Sequence, residues 1–115
     1  MGNLVEVGKT TELAEGTMKK VSAQGRDILL ARVGGKYYAD NNKCPHMGGN
    51  LSQGKLEGTA VTCPVHGSQF DLTDGRVVRW VGKSGLLGPL LRLKPRRPLG
   101  MYKVTIQDEK ILIEI

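Results

Sequence analysis

The only cysteines and the only histidines of this chain fall in two short segments, Cys44-Pro45-His46 and Cys63-Pro64-Val65-His66. Written together they read C-x-H, a spacer of 16 residues, then C-x-x-H. Side chains two apart in extended backbone face the same side, so Cys44 and His46 can reach one object. Pro45 stiffens that link and withholds an N–H. A tight turn brings Cys63 and His66 together in the same way. The pattern therefore predicts two loops that converge at one end of a scaffold, each bringing one sulfur and one imidazole.

The mixture on each arm narrows the chemistry. Thiolates suit iron–sulfur clusters and zinc, and imidazole suits zinc, iron and copper. Zinc fingers pair like with like, two cysteines on one arm and two histidines on the other. A binuclear iron–sulfur centre accounts better for mixed arms: one iron takes both cysteines, the other both histidines, and each arm straddles both metals. Zinc remains the second reading, and buried structural residues without metal the third.

The rest of the chain reads as scaffold. Its 115 residues suit one domain, and beside a cofactor site they leave little room for a substrate-processing domain. Sixteen glycines point to tight turns rather than long helices. Strands are expected at Leu4–Val7, Met18–Ser22, Asp27–Val33, Lys36–Ala39, Thr59–Thr62 and Arg76–Val81, with turns at Gly25-Arg26 and Gly34-Gly35. Met101–Gln107 and Lys110–Ile115 flank Asp108-Glu109 as a final hairpin. Thr10–Glu15 is expected to form one helical turn capped by Thr10 or Thr11. Asp40–Gly58 has no period and is rich in Asn, Gly and Ser, so it reads as a functional loop.

With these residues in view, the sequence resembles the Rieske family. The likeness runs through Lys36-Tyr-Tyr-Ala-Asp-Asn, Cys44-Pro-His-Met-Gly-Gly, Leu51-Ser-Gln-Gly-Lys-Leu-Glu-Gly, Cys63-Pro-Val-His-Gly-Ser-Gln-Phe-Asp and Thr73-Asp-Gly. The resemblance implies an all-β fold, a three-sheet antiparallel β-sandwich with a small cluster-binding subdomain and both ligand loops at one tip. It implies a single domain over 1–115, with the subdomain at about 41–75 inserted in a β base of 1–40 and 76–115. One 2Fe–2S cluster is expected on Cys44, His46, Cys63 and His66, with Ser68 as a further cofactor-binding residue. Gly48, Gly49 and Gly67 flank the ligands, where small residues let backbone N–H groups approach cluster sulfurs. High-potential Rieske proteins of cytochrome bc complexes carry a Tyr where this chain has Phe70. They also carry an extra cysteine in each arm, which this chain lacks. Both departures point to the ferredoxin type and to a potential in the lower part of the Rieske range. Pro95-Arg96-Arg97-Pro98-Leu99 resembles the proline-containing third loop of the family.

The function implied is one-electron transfer between a reductase and a terminal oxidoreductase such as an oxygenase, by a carrier that is not itself an enzyme. An iron–sulfur subunit or sensor within a complex is the alternative, and a zinc-stabilised interaction module the next. Charge bears on partners. The formal net charge is +6, and Gly75–Gln107 contains eight basic residues and no acidic one. Val81–Leu93 is an unusually long, apolar insertion. Together they suggest docking on an acidic redox partner, with a membrane-surface contact through Leu86, Leu87, Leu90 and Leu91 as the competing reading. No nucleic-acid motif accompanies the charge, so no nucleic-acid partner is expected. No targeting segment is visible at the N-terminus, and a cytoplasmic location is expected.

Overall fold

The computed structural model describes residues 4–44, 49–65, 67–79 and 99–115. Eleven strands are found among them: β1 Leu4–Lys9, β2 Thr17–Ala23, β3 Arg26–Val33, β4 Lys36–Asn41, β5 Lys55–Glu57, β6 Ala60–Thr62, β7 Gln69–Asp71, β8 Val77–Arg79, β9 Met101–Tyr102, β10 Val104–Gln107 and β11 Lys110–Glu114. They form three antiparallel sheets ordered β1-β11-β10, β2-β3-β4-β9 and β5-β6-β7-β8. The all-β, three-sheet architecture expected from the sequence is present.

β3 explains the layering. Its Ile28, Leu29, Leu30 and Ala31 are all fully buried, as expected of a strand covered on both faces. Ile28 and Leu30 join Ala39, Ile111 and Ile113 in one core cluster, against the β1-β11-β10 sheet. Leu29 and Ala31 point the other way. They join Leu51, Val61, Phe70, Leu72, Leu99 and both cysteines in a second cluster, against the β5–β8 sheet. The middle sheet is thus the wall on which the cysteine-bearing layer rests.

Three expectations are corrected. The strand expected over Met101–Gln107 is divided at Lys103: Met101 and Tyr102 pair with Asp40 and Ala39 of β4, whereas Val104–Gln107 pair with β11. One extended segment thereby joins two sheets. The helical turn expected over Thr10–Glu15 is a 3-10 turn confined to Thr10–Glu12, and its cap is Lys9 rather than a threonine. Glu12 Oε1 accepts the Lys9 backbone N–H at 2.8 Å, so the acid three residues on closes the turn. The loop expected over Asp40–Gly58 also holds a 3-10 turn at Leu51–Gln53 and strand β5. The insertion at Val81–Leu93 and the Pro95–Pro98 part of the third loop lie outside the described residues.

Candidate metal centre

Cys44 and Cys63 leave the ends of β4 and β6 on matching loops. Cys44 N–H donates to Gly49 O at 2.8 Å, and Cys63 N–H donates to Ser68 O at 2.7 Å. Each cysteine therefore closes a ring with the residue five positions on. Pro64, directly after Cys63, has no N–H to donate and stands in a turn. Both cysteines are 2% exposed, whereas Pro64 and Val65 beside Cys63 face outward.

The two loops meet at Gly49. A Cβ on that residue would lie 2.8 Å from Cys63 Sγ and 2.6 Å from Val65 Cγ2. Only glycine lets the first loop come this close to the second cysteine. The sequence marks Gly49 as a flanking small residue; the contact across to Cys63 needed the fold. His46 and His66 lie outside the described residues, as does Gly48. Ser68 is fully buried, and its carbonyl closes the second loop. Phe70 is also fully buried, in the same core as both cysteines.

Asn42 is the brace that sequence reading missed. It is 1% exposed, and it is bonded at every polar group. Its N–H donates to Asp27 O, and its carbonyl accepts the Leu51 N–H. Its side-chain oxygen accepts the Ser52 N–H at 2.9 Å, and its amide donates to Asn50 Oδ1 at 3.1 Å. The start of the first loop is thus clamped to the Asn50–Ser52 segment at its end. Nothing in the Asn-Asn-Lys run distinguishes this asparagine from an exposed turn residue.

The second arm is held from two sides. Gln69 Nε2 donates to Thr62 Oγ1 at 2.9 Å, and Arg79 Nε donates to Gly67 O at 3.1 Å. Beyond it, Asp71 anchors the turn into β8. The Thr73 hydroxyl and N–H, at 2.6 and 2.9 Å, hold the Asp71 carboxyl below its ordinary range, and Arg76 adds to the effect. Asp40, on β4, is the opposite case. It is 1% exposed, and neither carboxylate oxygen has a hydrogen-bond partner among the described residues. Burial, with the Asp71 charge behind it, pushes its pKa up to about 8.

The donor chemistry fits an iron–sulfur cluster. Two soft donors are held in an apolar layer, on loops brought together by a glycine, and one imidazole comes after each cysteine in sequence. Comparison with known proteins agrees. The family model for the Rieske [2Fe-2S] domain matches residues 3–87. The ferredoxin component of the naphthalene 1,2-dioxygenase/salicylate 5-hydroxylase systems of Ralstonia sp. is 33% identical over 113 residues, spanning 98% of this chain and 96% of that protein. The naphthalene 1,2-dioxygenase ferredoxin component of Pseudomonas putida is 32% identical over 111 residues, spanning 96% and 94%. A chain in the solved complex of reduced oxygenase and oxidized ferredoxin in carbazole 1,9a-dioxygenase superposes with a TM-score of 0.77 at 25% identity, over 95% of this chain and 99% of that one.

Proposed function

The chain belongs to the Rieske [2Fe-2S] domain family, and from that premise we propose that it is a Rieske ferredoxin, a one-electron carrier from a reductase to a terminal oxygenase rather than an enzyme. In this reading Cys44, His46, Cys63 and His66 hold one 2Fe–2S cluster, and the cluster-binding subdomain at about 41–75 is built on β5–β7. The observation that carries the proposal is the meeting of two buried-cysteine loops at Gly49.

When bound, such a cluster supplies reversible one-electron chemistry, with two neutral imidazoles raising its potential above that of all-thiolate ferredoxins. The chain's own part is preorganisation. The ring hydrogen bonds of Cys44 and Cys63 fix the sulfur-bearing backbone. The apolar layer of Leu51, Val61, Phe70 and Leu72 keeps water from the thiolates. Phe70 fills the core beneath the loops without offering a hydroxyl, which favours the lower part of the Rieske range of about −150 to +300 mV. Exposed Val65, between two of the ligands in sequence, gives the tip an apolar contact for a partner.

The net charge of +6 favours an acidic docking surface on that partner, because charge steering speeds encounter. Among the described residues no helix is long and apolar enough to cross a membrane. The first test is electron paramagnetic resonance of protein purified without air and reduced with dithionite. An average g value below that of all-cysteine 2Fe–2S proteins is expected, and then catalytic turnover as mediator between a reductase and an oxygenase. A silent, colourless sample with stoichiometric zinc would remove this reading and leave an interaction module. A protein that accepts electrons only inside a stable complex would make it a fixed subunit instead of a carrier.

A further inference from the structure

Arg79 stands at the C-terminal end of β8, opposite Gln69 of β7. Its Nε–H donates to the carbonyl of Gly67, the residue next after His66, at 3.1 Å. Gly67 has a positive φ of 77°, and its N–H donates back to Cys63 O at 3.1 Å. The guanidinium thus grips the second ligand loop at the turn that carries it from His66 to Ser68. The bonded carbonyl belongs to the peptide unit whose N–H is that of Ser68. A charged donor on the oxygen polarises that unit and places more positive charge on the Ser68 N–H.

Among the described residues the charge on Arg79 is also not neutralised: it has no carboxylate within ion-pair distance, whereas Arg76, three residues earlier, lies 3.2 Å from Asp71 and 4.0 Å from Asp74. Reduction of a cluster adds one negative charge, and a fixed cation nearby favours the reduced form.

We infer that Arg79 is a positioning residue that raises the reduction potential of the bound cluster, through its hydrogen bond to the second ligand loop and its uncompensated charge. The inference rests on the Rieske reading above. It adds a residue outside both ligand motifs, from a strand whose sequence shows only an exposed basic side chain.

The test is a potentiometric titration of cluster-loaded wild type, Arg79→Gln, Arg79→Lys and Arg76→Gln, monitored by electron paramagnetic resonance at low and high salt. The Arg79→Gln midpoint is expected to fall below wild type, and the gap to narrow at high salt, because the guanidinium is solvent-accessible. Arg79→Lys keeps the charge without the guanidine Nε–H donor and is expected to lie between them. Arg76→Gln, which removes an equal charge without touching the Gly67 carbonyl, is expected to fall less than Arg79→Gln. A wild-type midpoint in whichever Arg79 variant carries the cluster overturns the inference. So does an equal fall in Arg76→Gln, which would report net charge alone. A wild type without a Rieske signal would instead defeat the cluster assignment itself, before Arg79 came into question.

Discussion

At the scale of single residues, the site depends on a side chain that is absent. Gly49 faces Cys63 Sγ and Val65 at distances where a Cβ would have to displace one of them. Gly49→Ala is therefore expected to push the loops apart, at a cost of about 1–3 kcal/mol of overpacking. The damage falls on the cysteine geometry more than on the fold. The expected result is a folded protein with a fraction of wild-type iron content after reconstitution, checked by iron and sulfide analysis beside circular dichroism. Wild-type iron content would show that the loops separate on binding and that the close approach is dispensable. The four candidate ligands stand out in the sequence because their residue types and spacing are chemically unusual, and the meeting of the two cysteine loops agrees with that expectation for Cys44 and Cys63. Asn42 and Arg79 were not, because what matters in each is a partner brought close by the fold: Ser52 and Asn50 for the one, Gly67 for the other.

At the scale of elements, the strands were legible wherever apolar residues recur between turn residues, as from β2 to β4. They were obscure where a strand changes partners. Met101–Gln107 reads as one strand because its pattern is continuous, yet Met101 and Tyr102 serve β4 while the rest serves β11. Periodicity records burial and says nothing of which sheet provides it. The terminal hairpin shows a different gap between sequence and geometry. Gln107 pairs with Lys110 across a two-residue loop, in which Asp108 and Glu109 have φ of 51° and 64°. Two successive left-handed residues are a type I′ requirement that Asn-Gly meets far better than Asp-Glu. The backbone bond from Thr10 N–H to Glu109 O needs no side chain and would survive replacement. Replacing Asp108-Glu109 by Asn-Gly is expected to stabilise the fold by about 1 kcal/mol, read as a higher midpoint in urea. An unchanged or lower midpoint would mean that the acidic pair makes compensating interactions at this end of the molecule.

At the scale of the whole molecule, a buried carboxyl without a hydrogen-bond partner among the described residues lies between two layers. β4 alternates: Tyr37 and Ala39 pack toward the β1-β11-β10 sheet, and Tyr38 toward the layer that holds the cysteines. By the same alternation Asp40 faces the cysteine-bearing layer, where Asp71 of β7 repels its charge. A buried carboxylate without a donor is tolerated only when neutral. Folding thus raises the Asp40 pKa from 3.8 to about 8, so between those values the folded chain holds a proton that the unfolded chain has released. Stability from this group is fully present below about pH 4. It falls as pH rises, by at most about 1.4 kcal/mol per pH unit, and levels off above the folded pKa. Asp40→Asn removes the titration while keeping the shape. The variant is expected to match wild type near pH 4 and to melt higher at pH 7.5, by a margin on the order of 2–4 kcal/mol. Thermal unfolding across pH 4–8.5 reads the difference directly. Parallel curves for the two proteins would mean that Asp40 ionises in place, with a counter-charge at the layer junction. A widening gap would show that ionisation of this one buried carboxyl, wedged between the scaffold and the cysteine-bearing layer, costs the fold stability as the medium turns alkaline.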